Sequence, residues 1–165
     1  MSEPLLQQAI ELDDAASVEN LLVLNNAHAE ELSLLDTASF RYLVTQAFHA
    51  CRIGENDAFM LTFDQSARYD SPNFLWFRER YPEFVYVDRI CVSSSARGRG
   101  LARQLYERLF DQARRAGHRI IVCEVNIDPP NPGSDAFHAA LGFQEVGSAA
   151  IFGGKKTVRY LERRL

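Results

Sequence analysis

Apolar and polar residues switch between near-helical and strand-like spacing several times along this 165-residue chain. Residues 5–11 predict a short first strand, after which Asp13 or Asp14 caps a helix that gathers Val18, Leu21, Leu22 and Leu24 on one side. Residues 25–31 connect it to a second helix, predicted from Asp36 or Thr37 to near Ala50, with Phe40, Leu43, Val44 and Ala47 on one face. The apolar runs Cys51–Ile53 and Ala58–Phe63 flank Gly54-Glu55-Asn56-Asp57, a turn composition that joins two antiparallel strands.

Residues 64–83 have no clear period and read as a long loop holding Tyr69, Phe74, Trp76, Phe77 and Tyr81. The strand Phe84–Val92 follows, apolar except for Asp88 and Arg89, and then polar residues 93–96. Leu101, Leu105, Leu109 and Ala113 recur every fourth residue and predict a strong helix, with Asp111 and Arg115 paired on its exposed side and Gly117 as its stop. With the next strand, Arg119–Ile127, this makes a strand-helix-strand unit whose two strands run parallel. Pro129, Pro130 and Pro132 end that strand, Ser134 caps a short helix through Leu141, and Phe143–Ala150 and Thr157–Leu161 close the chain as two strands around Gly153-Gly154. The order is β-α-α-β-β-β-α-β-α-β-β, an α/β domain spanning 1–165 without repeats.

Composition narrows the function. Apolar residues at 47% and charged residues at 24% describe a soluble globular domain. A net charge of −4 offers no basic field for a phosphate backbone, so nucleic acid is not the expected partner. Cys51, Cys91 and Cys123 form no CxxC or Cys/His cluster, which argues against a disulfide framework or a metal site. The acidic start Met1-Ser2-Glu3-Pro4 lacks a secretory signal pattern and no window is apolar enough to span a bilayer, so the expectation is a cytoplasmic protein that is not membrane-bound.

The sharpest chemical signal is Arg97-Gly98-Arg99-Gly100-Leu101-Ala102, where a buried strand turns into a helix. Glycines allow close backbone approach, and the free N–H groups and positive dipole end of a helix suit a pyrophosphate. Alone, the string also reads as a tight surface turn with solvated arginines. A nicotinamide-type dinucleotide fingerprint fits poorly, because G-x-G-x-x-G is not completed.

In this context the chain resembles the GNAT superfamily of acyl-CoA-dependent N-acyltransferases. Arg97, Gly100 and Ala102 match that family's [R/Q]-x-x-G-x-[G/A] phosphate loop, and Asn131, Ser134, His138 and Gly142-Phe143 fall on its second pattern, with His138 where the family commonly has Tyr. The resemblance implies a mixed, mostly antiparallel twisted sheet flanked by helices, with a central parallel pair of strands that splay apart. It implies acetyl-CoA as cosubstrate and no metal, with the pyrophosphate on the main chain of Arg97 to Ala102. The pantetheine arm would run between the strands ending near Val92 and Ile127, past Asn131 and Ser134. Main-chain donors around Cys91 or Val92 would face the thioester carbonyl, where an oxyanion develops.

An attacking amine must lose a proton, and Asp88, alone with Arg89 in an apolar strand, is the candidate base. The alternative is that Asp88 pairs with an arginine from another element, since strand alternation aims Arg89 at the opposite face. His138 is the candidate acid for the departing thiolate; alternatively it packs or bonds a backbone carbonyl. Cys91 as a nucleophile lacks a visible base. His28, His49 and His118 read as surface or capping residues.

The acceptor is expected near residues 25–36, 64–83 and 150–156. The aromatic segment 64–83 reads as a pocket, a lid or a homodimer surface, with core packing the alternative for Trp76 and Phe77. The expected activity is direct N-acetylation of a primary amine of a small metabolite or peptide. The competing reading is a noncatalytic acyl-CoA sensor.

Overall fold

The computed structural model describes residues 6–29 and 32–165. Positions 1–5, with the start of the expected first strand, and positions 30 and 31 of the expected connection lie outside the described residues.

The element order is β1 (Gln7–Ala9), α1 (Ala15–Asn26), α2 (Thr37–Gln46), β2 (His49–Ile53), β3 (Ala58–Asp64), α3 (Pro72–Arg78), β4 (Val85–Val92), α4 (Leu101–Arg115), β5 (Ile120–Asp128), α5 (Pro132–Ala140), β6 (Gln144–Ile151) and β7 (Lys156–Arg164). The strands form one open sheet in the order β1-β2-β3-β4-β5-β7-β6. All neighbours are antiparallel except β4 and β5. That parallel pair is bonded only at Val85 with Ile121 and Tyr86 with Val122, so from Val87 onward the β5 side of β4 has no strand partner.

Strand alternation divides the core between the two faces. Phe59, Leu61, Phe63, Tyr86 and Val122 pack with Leu21, Phe40, Phe74 and Phe77 of α1, α2 and α3. Ala58, Met60, Val85 and Ile121 pack instead with Leu101, Leu105 and Leu109 of α4. Gly117 closes α4 as expected: its N–H reaches Arg114 O (3.0 Å) and that of His118 reaches Ala113 O (2.9 Å). No helix among the described residues is long and apolar enough to cross a membrane.

Several local expectations are corrected. Asp14 and Asp36 do cap α1 and α2 through their side chains, but α2 ends at Gln46 and β2 already begins at His49. The segment 64–83 contains α3, which starts on Pro72, where a missing N–H costs nothing. Asp111 pairs with Arg114 (3.4 Å) rather than Arg115. The cap of α5 is Asn131, whose Oδ1 accepts from Ser134 N (3.3 Å), so Ser134 lies inside the first turn.

Candidate functional site

The gap between β4 and β5 opens into a cavity of about 510 Å³. It brings together Asp88, Cys91 and Val92 of β4, Arg97 and Ala102 at the start of α4, and Asn131, Ser134 and His138 from α5 and its cap. Four of the expected loop residues do not line it: Leu101 is buried on the core side of α4, Arg99 reaches toward Asp57 (4.0 Å), and Gly98 and Gly100 sit in the turn that leads into the helix. Gly100 is the N-cap of α4 with φ of 73°, and no side chain caps that helix end. A Cβ built at Gly98 or Gly100 would meet nothing within 4 Å, so the approach to the first N–H groups of α4 is open.

Asp88 does pair with an arginine, but with its own neighbour. Leu61 faces Arg89 while Thr62 faces Val87, so Asp88 is the extra residue of a β-bulge. The bulge cancels the alternation that would have sent the two side chains to opposite faces, and Arg89 Nε donates to Asp88 Oδ2 at 2.8 Å. Tyr69 OH donates to Oδ1, also at 2.8 Å. Arg89 Nη1 donates to Asn25 Oδ1 and Ser33 O (both 2.9 Å), tying the pair to the last turn of α1 and to the connection after it. Burial raises the pKa of Asp88, while Arg89 and Tyr69 pull it back.

A second carboxylate, not singled out by the sequence reasoning, lies across the gap. Glu124 of β5 lines the same cavity. Its Oε1 accepts from Tyr86 OH and Asn73 Nδ2 (both 3.0 Å), and Asn73 Oδ1 accepts from Tyr160 OH (2.9 Å). Its Oε2 is sealed from solvent and has no hydrogen-bond partner among the described residues. Burial, and then the charge of Asp88, push its pKa up to about 8. The available signal was the one that marked Asp88: a lone charge in an apolar strand beside the expected gap.

His138 is buried. Its Nδ1 lies 2.8 Å from Ser134 O, which only accepts, so Nδ1 carries the proton and Nε2 accepts from Tyr106 OH at 2.7 Å. Burial lowers its pKa. Ser134 Oγ is a further neighbour of Nδ1 at 3.2 Å.

Of the other histidines, His118 packs edge-on against Phe48 and His49 is half-buried in β2. His28 bonds Leu24 O (3.0 Å) as a capping residue would, and its ring also lines the cavity, 3.3 Å from Cys91 Sγ and 3.3 Å from Arg97 Nη2.

On the α1–α3 side lies a second cavity, of about 940 Å³. Its lining draws on the three segments expected at the acceptor side: Ser33 and Leu35, Tyr69 to Pro72 with Arg78, and Phe152 of the β6–β7 turn. Tyr69 and Arg89 belong to this wall and Asp88 to the first cavity, so the bonded group of three lies between them. Phe77 is fully buried, and Trp76 stacks on Tyr160 (4.1 Å between ring centroids, 18° between planes) with Arg80 above it (3.9 Å).

Residues 67–143, from within the β3–α3 connection to the residue before β6, match the model of the acetyltransferase (GNAT) family. Over that stretch, just under half of its length, the chain is similar to the GNAT acetyltransferases. Two curated relatives are both L-2,4-diaminobutyric acid acetyltransferases. The one from Nocardia farcinica is 31% identical over 137 residues, covering 82% of this chain and 63% of its own length. The one from Wolinella succinogenes is 28% identical over 82 residues, covering 50% and 47%. The chain thus matches about half to two thirds of those relatives' length. The Salmonella typhimurium protein yncA, solved with its cofactor acetyl-CoA, shares the GNAT fold at a TM-score of 0.69 and 19% identity, over 99% of this chain and 95% of that one.

Proposed function

We propose that this chain transfers an acetyl group from acetyl-CoA directly to a primary amine of a small metabolite or peptide. The observation that carries the reading is the cavity between β4 and β5, lined by an open helix start and by a buried carboxylate, one oxygen of which has no partner among the described residues.

The residues present fit acetyl-CoA. The turn Arg97 to Ala102 would hold the pyrophosphate on main-chain N–H groups, the glycines leaving room for it. The β5-facing edge of Cys91 and Val92, which no strand occupies, would bind the pantetheine and donate to the carbonyl oxygen. Asn131 and Ser134 line the same passage. When bound, acetyl-CoA supplies the acetyl group as an activated thioester.

The base role expected of Asp88 is better met by Glu124. Both oxygens of Asp88 are already bonded, whereas Glu124 Oε2 has no partner among the described residues; sealed from solvent as it stands, it takes the proton of the incoming amine once a turn of its side chain brings it to the cavity. Asp88 then works through Glu124: its charge helps keep the glutamate basic enough to act near neutral pH. For His138 to protonate the departing thiolate, Nε2 must first be protonated and release Tyr106, a form that burial disfavours. That observation is what sustains the noncatalytic sensor as a second reading. The acceptor enters through the second cavity and reaches the first when the Tyr69–Asp88–Arg89 group between them moves aside; the relatives' substrate, a small diamino acid, is of a size the second cavity can take.

The test follows free thiol released from acetyl-CoA across a panel of amines and amino acids. Saturable, amine-dependent release is expected. Acetyl-CoA binding with no release for any acceptor would favour the sensor.

A further inference from the structure

The second cavity is unevenly charged. Its mouth carries Arg68 and Arg78, both exposed, against Asp70 as the one acidic side chain in its lining among the described residues. Arg89, deeper in the wall, is buried and its charge is matched by Asp88. Neither Arg68 nor Arg78 makes an ion pair with a described residue.

Both arginines are carried on fixed supports. The main chain of Arg68 is bonded on both sides, its N–H to Gln46 Oε1 (2.9 Å) and its carbonyl from Tyr42 OH (2.8 Å). The Arg78 guanidinium lies over the ring of Phe74 (5.5 Å), itself fully buried. Beyond the wall formed by Tyr69 and Arg89, the sign reverses, with the carboxyl groups of Asp88 and Glu124 in the first cavity. An amine without a counter-charge meets two cations before it reaches them. A molecule with a carboxylate behind its amine matches both ends.

We propose that the acceptor amine carries a carboxylate in the same molecule, and that Arg68 and Arg78 hold this carboxylate at the mouth while the amine points toward Asp88 and Glu124. The inference rests on the acetyl-transfer reading and narrows its substrate to amino-acid-like acceptors. Arginine suits the task because its planar fork binds a carboxylate in two places at once. The apolar side chains of Leu35, Tyr42 and Phe152 in the same lining would cover the carbon skeleton between the charges.

The experiment compares three acceptors on one skeleton: an amino acid with a side-chain amine, its carboxamide, and the decarboxylated amine. With the parent protein, kcat/KM is highest for the acid. Arg68→Ala and Arg78→Ala each raise KM for the acid by about two- to fivefold, the worth of one exposed ion pair, and leave KM for the carboxamide and for acetyl-CoA in place. Arg78→Glu reverses the order of acid and decarboxylated amine. Equal kcat/KM for the three, or variants that raise KM for all three alike, overturns the carboxylate site. Calorimetric binding of the same compounds in the presence of CoA reads the discrimination without turnover. A protein that binds the acid selectively yet transfers nothing overturns the acetyl-transfer reading and upholds the site; equal binding overturns the site itself.

Discussion

Replacing Glu124 with Gln removes a titrating group while keeping its shape. Tyr86 and Asn73 both donate to Oε1, and a glutamine oxygen accepts the same two bonds, so the fold should be retained. In the parent, burial lifts the carboxyl from the ordinary 4.5 to about 8. At pH 7 only about one molecule in ten then holds it ionised, and the rate rises with pH until the group is fully deprotonated. The loss in the Gln variant should be about 10²- to 10⁴-fold in kcat, the usual worth of a general base. The stability consequence has a definite sign. A folded pKa above the unfolded one means that the unfolded chain gives up its proton first, so Glu124 contributes most below pH 4.5 and this contribution is lost as pH rises toward about 8. At about 1.4 kcal/mol per pKa unit, that shift sets an upper bound of about 5 kcal/mol, reduced by whatever water the cavity holds. The assays are thiol release from pH 6 to 9 and thermal melts over pH 4 to 9, each run on parent and variant. Melting curves for the variant should fall less steeply with pH than those of the parent. A Gln variant that keeps both the parent's rate and its rising alkaline limb would refute the assignment, since the limb would then belong to the amine.

Gly100→Val places a β-branched residue at φ of 73° and a side chain in the open approach to α4; the variant should fold with about 1–2 kcal/mol less stability and bind acetyl-CoA roughly tenfold or more weakly, as titration would read. Gly147→Ala brings a Cβ to 2.5 Å from Trp76 Cζ2, so the stack on Tyr160 must shift at a cost of about 1–3 kcal/mol, roughly 2–12 °C in melting temperature. Asp88→Asn leaves the buried Arg89 charge without its partner and should cost about 3–5 kcal/mol by denaturant unfolding; a variant as stable as the parent would show the pair to be dispensable.

The sequence made the strand-turn-helix frame visible because three signals agreed at each step: period, glycine punctuation and the fourfold leucine spacing of α4. It hid α3, since Phe74, Leu75, Trp76 and Phe77 are consecutive apolar residues that show no helical period over seven positions. Alternation misled for Asp88 and Arg89, because a bulge is set by how β4 registers against β3 and nothing in β4 alone announces it. Glu124 carried the same signal as Asp88, a lone charge in an apolar strand, but its bond to Asn73, like the approach of His28 to Arg97, joins segments distant in sequence. The cavity residues from β4, the phosphate loop and α5 were nameable because local motifs carry them.

The most direct test of the whole account is a crystal structure with a non-hydrolysable acetyl-CoA analogue. The pyrophosphate is expected on the main chain between Gly98 and Ala102, the pantetheine between β4 and β5, and the acyl carbonyl on the side of the cavity lined by Glu124, with the carboxylate turned so that Oε2 reaches an attacking amine directly or through one water. An analogue bound outside the gap between β4 and β5, or with its acyl group turned away from Glu124, would contradict the account.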